Sequence, residues 1–214
     1  MKSVNKHLVM EENHMDKLYN SSNPLIRFFH NQRLHCILKF IPKLKSQKNL
    51  KVLDAGCGEG HLLREIHKKN PNILLSGIDV TKIALASARK RLGKKAKLFL
   101  QDSTNLKFPE GYFDIVICAD MLEHVHDYKK VIYNLKKVTK KRGRIIVSYP
   151  NETNLTISRF LLGIKPAKAI DHVNSFIPKK MQEEFNLPVV KQLNLPVNLP
   201  FAFSLEAVQA FKKQ

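Results

Sequence analysis

The chain has 214 residues, enough for one well-buried core and too few for two comfortable domains. Its 37 lysines and arginines against 18 aspartates and glutamates give a net charge of +19, which excludes an acidic surface and attracts anions. Residues 1–10 lack the apolar core of a signal peptide, and no apolar run reaches the roughly 18 residues of a membrane span, so we expect a cytoplasmic protein.

The first 48 residues are expected to form a helical extension, or lid, in front of a domain at 49–214. Asn23-Pro24 is a typical helix start, and apolar residues then recur at steps of three and four up to Pro42. The predicted helix is also basic. Its apolar stripe is expected to pack on the domain, with a lid or a contact with an anionic membrane as alternatives.

From residue 50 onwards, apolar strand patterns alternate with amphipathic helix patterns. Several strands are continuously apolar, as buried parallel strands are, for example Ile115–Cys118. Such alternation predicts an α/β fold with a doubly wound, mostly parallel, Rossmann-like sheet in three α/β/α layers. We predict strands at 50–54, 73–79, 96–100, 113–119 and 143–149, and helices at 59–69, 81–91 and 127–138.

The region after residue 150 is less regular and is expected to lie on the acceptor side. We predict helices at 152–163 and 179–185, a strand at 189–193, and a final amphipathic helix that Ser204 caps. Three cysteines, Cys36, Cys57 and Cys118, lack any metal-ligand spacing. We therefore expect reduced, packed thiols and no metal site.

A glycine-rich turn follows the first strand, at Asp54-Ala55-Gly56-Cys57-Gly58-Glu59-Gly60. Glycines at alternate positions let the backbone approach a ligand where side chains would collide. Because the turn joins a buried strand to a helix, it is typical of a nucleotide-binding corner. Asp79 ends the second strand, where a carboxylate can accept both hydroxyls of a ribose.

Two further strand ends carry polar residues. Asp102-Ser103 follows the third strand, where a carboxylate can accept the amino group of adenine; a simple turn or helix cap at 102–105 is the alternative. The fourth strand, beginning Phe113-Asp114, runs into Ala119-Asp120-Met121 and then Leu122-Glu123-His124-Val125.

Together these motifs resemble the Rossmann-like class of S-adenosylmethionine-dependent methyltransferases, in particular its small-molecule branch with ubiquinone and menaquinone methyltransferases. The resemblance spans roughly residues 17–193 and is strongest over 51–149. It implies S-adenosylmethionine as the cofactor and in-line methyl transfer to a small or lipid-like acceptor. The implied cofactor-binding residues are Asp54, Gly56, Cys57, Gly58, Gly60, Asp79, Val80, Asp102, Ser103, Ala119, Asp120 and Met121.

A general base is needed only if the acceptor must lose a proton. The segment Asp171-His172-Val173 resembles the family's acceptor-side loop, so His172 is one candidate for this base, and His124 and His126 are the others. The alternatives are a structural role for His124 at its turn and, for His126, a cap or contact of the helix that follows. The proline-bearing end after residue 186 departs from the family pattern and leaves the usual final antiparallel strands in doubt.

Three competing functions stay open. The positive charge would suit an RNA methyltransferase, although no Asn-Pro-Pro-Tyr type motif follows the fourth strand. A nicotinamide-dependent oxidoreductase shares the glycine turn and Asp79, but its turn would place a glycine at position 61, which is His61. A non-catalytic cofactor-binding protein is the third. The oligomeric state and the methylated atom do not follow from the sequence.

Overall fold

The computed structural model, which describes residues 14–41 and 49–214, is built around a seven-stranded sheet. The strands are β1 (Lys51–Ala55), β2 (Leu74–Asp79), β3 (Ala96–Leu100), β4 (Phe113–Ala119), β5 (Thr139–Pro150), β6 (Val189–Leu195) and β7 (Glu206–Lys212). In space they follow the order β3-β2-β1-β4-β5-β7-β6. The first five strands are parallel, whereas β7 runs antiparallel to both of its neighbours.

Helices cover both faces of this sheet, which confirms the predicted three-layer Rossmann-like fold. The helices are α1 (His14–Tyr19), α2 (Pro24–Phe40), α3 (His61–Lys69), α4 (Lys82–Leu92), α5 (Tyr128–Val138), α6 (Glu152–Leu161) and α7 (Pro178–Phe185). One core cluster joins the sheet to α2, α3 and α4, and the other joins it to α5 and α7.

The basic helix α2 begins as its sequence predicted. The Asn23 side chain accepts hydrogen bonds from the backbone N–H groups of Leu25 and Ile26, and Pro24 occupies the first turn. Its buried side chains, among them Ile37 and Phe40, enter the core on the α3 side of the sheet. The division of the chain at residue 48 stays a prediction, and parts of that extension, residues 1–13 and 42–48, lie outside the described residues.

The predicted final helix is wrong, because Glu206–Lys212 forms strand β7 between β5 and β6. Leu205, Val208 and Phe211 suggested a helix by their three-residue spacing. A strand between two others is covered on both faces, and every residue from Glu206 to Phe211 is buried, so no apolar-polar alternation marks it. The final antiparallel pair that the sequence left in doubt is therefore present.

The sheet order also places the ligand crevice. From β1 the chain continues to β2 and β3 on one side of β1, and it then returns to form β4 on the other side. In such sheets ligands bind beyond the carboxyl ends of the strands at the point where the order reverses, here between β1 and β4. Among residues 14–41 and 49–214, no helix combines the length and hydrophobicity needed to cross a bilayer.

Candidate active site

The glycine turn after β1 is anchored to the end of β2. The backbone N–H groups of Gly56 and Cys57 both donate to the carbonyl oxygen of Ile78, at 2.9 and 2.8 Å. Gly58 N–H donates to Oδ2 of Asp79 at 2.8 Å. The turn and the ribose-binding candidate are thus held together by hydrogen bonds, as a cofactor site spanning both strands requires.

All three glycines of the turn have positive φ angles, +82° at Gly56, +50° at Gly58 and +79° at Gly60. A Cβ atom on Gly56 would lie 2.9 Å from Cγ of Met121, so this glycine lets the β1 turn approach the end of β4. A Cβ atom on Gly60 would instead lie 2.8 Å from Cδ1 of Leu92. Gly60 therefore serves the packing of α3 against α4.

The Asp79 carboxylate is buried and well oriented. Its Oδ1 accepts from the backbone N–H of Thr81 at 2.8 Å, opposite the bond from Gly58. Each carboxylate oxygen can accept a second hydrogen bond, so both remain able to receive ribose hydroxyls. Val80 is half-buried and lies between Asp79 and Thr81 in the chain.

Asp54 is buried at the end of β1. Burial, followed by the nearby charge of Asp79, raises the pKa of Asp54 to about 7. A group that brings a positive charge would favour its ionised form, as the predicted contact with an amino acid ammonium requires. Burial also raises the pKa of the Cys57 thiol well above its usual range, so Cys57 is a packed and unreactive thiol.

Asp102 lies at the surface and caps a short 3₁₀ turn, Ser103–Asn105, by accepting from the backbone N–H of Thr104 at 2.8 Å. The helix cap at 102–105, which the sequence left open as the alternative to adenine binding, is therefore present. Ser103 is buried, and its carbonyl oxygen accepts from the Asn134 side chain on α5 at 3.0 Å. Adenine recognition at Asp102-Ser103 stays a prediction.

The end of β4 contains a contact that the sequence did not predict. Asp120 has a φ of +46°, its Oδ1 accepts from the Ser148 hydroxyl at 2.6 Å, and its Oδ2 forms an ion pair with Arg33 of α2. Ala119 and Met121 flank it, both half-buried. Asp120 thus joins helix α2 to the cofactor edge of the sheet.

The two candidate histidines lie side by side. Their ring centroids are 4.6 Å apart and the rings are nearly perpendicular, at 82°. The backbone N–H groups of Val173 and Asn174 donate to the carbonyl oxygen of Glu123 at 2.8 and 3.1 Å, so the late loop is tied to the β4–α5 turn. Two segments far apart in the chain therefore form one cluster beyond β4.

Each histidine has a carboxylate partner. His124 Nδ1 lies 3.2 Å from Oδ2 of Asp171, and His172 Nδ1 lies 2.7 Å from Oε1 of Glu152. Burial acts to lower the pKa of His124, but the hydrogen bond with Asp171 and the charge of Glu123 raise it above its ordinary value. The same hydrogen bond lowers the pKa of Asp171 to about 2. His124 is therefore held by an ionised partner.

Glu123, His124 and His172 also present ligand atoms within 4.8 Å of one another. One carboxylate and two imidazoles form a donor set that divalent metals accept. In this cluster, however, both imidazoles already face carboxylates. The absence of a metal from the site stays a prediction.

Sequence reasoning missed Arg33, Glu152 and Glu206. Arg33 is buried among the apolar residues of α2, and a basic residue on the apolar stripe was the available signal. Glu152 begins α6 and reaches His172 only through the fold. Glu206 was placed in the wrong element.

The fold recurs in solved structures of low sequence identity. The PH0226 protein of Pyrococcus horikoshii has a TM-score of 0.71 and 15% identity over 92% of this chain and 96% of its own. The magnesium protoporphyrin IX methyltransferase of Synechocystis, solved with bound S-adenosylhomocysteine, has a TM-score of 0.69 and 18% identity over 94% and 92% of the two chains.

Curated relatives are more similar in sequence but longer. A ubiquinone biosynthesis O-methyltransferase from Hydrogenovibrio crunogenus is 31% identical over 146 residues, which cover 66% of this chain and 57% of that protein. A demethylmenaquinone methyltransferase from Thermotoga maritima is 31% identical over 97 residues, 45% of this chain and 42% of that protein. The chain thus spans about half the length of these relatives.

A family model described as a methyltransferase domain matches residues 46–192, more than half of the chain. S-adenosylmethionine is the cofactor of this class, which confirms the predicted cofactor. The glycine turn, the acid that ends β2 and the doubly wound sheet agree with that assignment. The chain therefore belongs to the methyltransferase-domain family of Rossmann-like, S-adenosylmethionine-dependent methyltransferases.

Proposed function

We propose that this protein transfers the methyl group of S-adenosylmethionine to a hydroxyl oxygen of a small, quinone-type, lipid-like acceptor. The observation that carries the proposal is the 2.7 Å contact between His172 and Glu152 beyond the end of β4, next to the cofactor edge. The names of the curated relatives, which include O-methyltransferases of ubiquinone biosynthesis, support an acceptor of this type.

The residues after β1, β2 and β3 fit the cofactor, because the turn at Gly56 excludes a side chain and the Asp79 carboxylate is fixed by two backbone N–H groups. When bound, S-adenosylmethionine supplies a methyl group on a positively charged sulfur. In this proposal Asp54 holds the ammonium, Asp79 the ribose hydroxyls and Asp102 the adenine amino group. Alignment by these groups is the main contribution of the protein.

His172 is proposed as the general base. With Glu152 accepting a hydrogen bond from Nδ1–H, the imidazole is held in the tautomer that leaves Nε2 free to accept a proton from the acceptor hydroxyl. His124, held by Asp171 and packed edge-on against His172, keeps that ring in place. His124 is therefore assigned a positioning role.

Substitution tests this assignment. General-base catalysis contributes about 100- to 10,000-fold, so His172→Ala is expected to lower kcat by about that factor, and Glu152→Gln by less. Methyl transfer to quinone-type phenols is measured with radiolabelled S-adenosylmethionine, and binding of S-adenosylhomocysteine by calorimetry. His126→Ala is the control, because His126 is exposed on the same turn.

Unchanged turnover in His172→Ala would remove the proposed base. Cofactor binding without methyl transfer across broad acceptor pools would favour a non-catalytic binding protein. Steeply salt-dependent RNA binding accompanied by RNA methylation would favour the RNA methyltransferase instead.

We further propose that the protein works in the cytoplasm at an anionic membrane surface. Apolar side chains are exposed on α6, where Phe160 and Leu161 are 73% and 76% exposed, and on the nearby segment that contains Phe203. Exposed Lys165 and Lys168 follow α6 in the chain. Apolar side chains beside lysines suit a surface of anionic lipid. Helix α6 connects this face, at its C-terminal end, with Glu152 of the proposed acceptor site at its start.

Liposome co-sedimentation tests this contact. Vesicles of phosphatidylglycerol and phosphatidylcholine are expected to bind the protein at low salt, and Phe160→Glu with Leu161→Glu should weaken binding at least tenfold. Tyr133→Glu is the control, because Tyr133 is also well exposed, at 64%, but lies on α5. No binding at low salt, or equal loss in the control, would contradict the proposal.

A further inference from the structure

Arg33 brings a single positive charge into a buried group of carboxyls. The residue is 9% exposed and pairs with Asp120 at the end of β4. Burial acts to lower the pKa of Arg33, but a hydrogen bond with Tyr19 and the charges of Glu206 and Glu123 raise it above its ordinary value. One guanidinium therefore faces three carboxyl groups: Asp120 directly after β4, Glu123 in the turn that follows, and Glu206 at the start of β7.

Polar atoms around Arg33 have no hydrogen-bond partner among the described residues. They are Oε1 of Glu206, Oε2 of Glu123 and Nδ1 of His30. Glu206 is 2% exposed and Glu123 1% exposed, so water does not readily replace the missing partners. A buried polar atom without a partner is costly in free energy, and such atoms are uncommon in folded proteins.

The two unpaired glutamate oxygens belong to residues at the carboxyl ends of β4 and β5. Glu206 begins β7 and pairs with Pro150 at the carboxyl end of β5, whereas the cofactor candidates lie at the ends of β1, β2, β3 and β4. Glu123 immediately precedes His124 in the turn after β4. The unpaired oxygens therefore lie at the edge of the sheet where the cofactor candidate Asp120 and the turn that contains His124 meet.

We propose that Glu206 binds the methyl acceptor by accepting a hydrogen bond from a neutral hydroxyl group at its buried Oε1 atom. This inference rests on the proposed function and adds a contact that fixes the orientation of the acceptor. A hydroxyl is favoured over an ammonium, because Arg33 already brings a cation to the cluster. Burial raises the pKa of Glu206 to about 7, so both the ionised and the protonated form are present near neutral pH. Both forms have a carboxyl oxygen that can accept the hydrogen bond.

A matched pair of small probes tests this contact. Phenol donates a hydrogen bond and its methyl ether, anisole, does not, while their rings are the same. Dissociation constants are measured by protein-observed NMR for the full chain, with and without S-adenosylhomocysteine. Wild-type protein is expected to bind phenol about five- to tenfold more tightly than anisole.

The variants separate the contact from simple packing. Glu206→Met removes the oxygen at similar length and should bring the phenol-to-anisole ratio close to one, whereas Glu206→Gln keeps an oxygen and should retain part of the preference. Glu184→Met is the matched control, since Glu184 lies on α7 and is hydrogen-bonded to Tyr128. Melting temperatures are compared for every variant.

A second measurement uses the wild-type chain, so the inference can be tested even if Glu206→Met does not fold. With ¹³C-labelled glutamate, the Glu206 carboxyl resonance, identified by its loss in Glu206→Gln, should shift with phenol and not with anisole. No selective shift, or an unchanged probe ratio in Glu206→Met, overturns the inference. If the inference fails but methyl transfer is observed, the proposed function is retained without the Glu206 contact. If the phenol-to-anisole ratio depends on Glu206 but no methyl transfer is found, the proposed function is overturned and the hydroxyl-binding site is retained.

Discussion

Gly56 combines a positive φ angle with a neighbour that leaves no room for a side chain. Its φ of +82° is costly for any residue with a Cβ atom, and that atom would lie 2.9 Å from Met121. Gly163 has a similar φ of +69°, but a Cβ atom there would have no atom of the described residues within 4 Å. The two glycines thus differ in surroundings while sharing their backbone conformation.

Alanine at both positions should therefore separate strain from site disruption. Each variant is expected to lose about 1 kcal/mol of unfolding free energy through its backbone. Only Gly56→Ala should weaken S-adenosylhomocysteine binding, by tenfold or more, because Met121 and the β1 turn must separate. Calorimetry and urea unfolding measure both quantities, and equal cofactor affinity in the two variants would contradict the assigned role of Gly56.

At the scale of elements, the short helix α1 is attached to the rest of the structure by charge. Both Asp16 oxygens lie 2.6 Å from Nη2 of Arg91 on α4. Glu59, in the glycine turn, accepts from the backbone N–H groups of Met15 and Asp16 at 3.2 and 3.3 Å. A six-residue helix is too short to be stable alone, so these contacts hold it.

Arg91→Met is accordingly expected to release α1 without unfolding the sheet. Amide hydrogens of residues 14–19 should exchange at least tenfold faster, while those of α2 stay protected. Hydrogen-exchange mass spectrometry measures this, with exposed Lys90→Met as the neighbouring control. Unchanged exchange over 14–19 would show that apolar packing, for instance by Tyr19, holds the helix instead.

Helices and strands whose apolar residues recur with a clear period could be predicted from the sequence, and β7 could not. The parallel strands and their helices each carry one pattern, and the glycine turn marks where they meet. In β7 both faces are buried and include Glu206 and Gln209, so neither helix nor strand periodicity is left to read. The pairing of Arg33 with Asp120 and of His172 with Glu152 depends on contacts between distant segments, which no local pattern encodes.

For the whole molecule, burial of acids links stability to pH. Burial raises the pKa values of Asp54, Glu123 and Glu206 to about 7, against about 4 in an unfolded chain. The folded state then binds more protons than the unfolded state, so unfolding free energy falls as pH rises through 7. His30 and His61, lowered by burial to about 3 and 4, act in the opposite sense, but only below about pH 6.5.

The protein without cofactor is therefore expected to be less stable at pH 8 than at pH 6. Each of these carboxyls contributes about 1 kcal/mol to the loss, and His30 and His61, which are largely protonated in the unfolded chain at pH 6, offset part of it. Urea unfolding at constant ionic strength measures the difference. Glu206→Gln should reduce it by about 1 kcal/mol, because one of the titrating groups is lost. Stability that rises between pH 6 and pH 8 would contradict the burial of these acids.

The position of β7 also bears on synthesis at the ribosome. β7 follows every other strand in the chain, yet in the sheet it lies between β5 and β6. Until residues 206–212 have left the exit tunnel, β5 presents an open edge, β6 has no neighbour to pair with and Glu206 cannot reach Arg33. An unpaired edge invites pairing with other chains, so a nascent chain paused before residue 206 would be most in need of a chaperone.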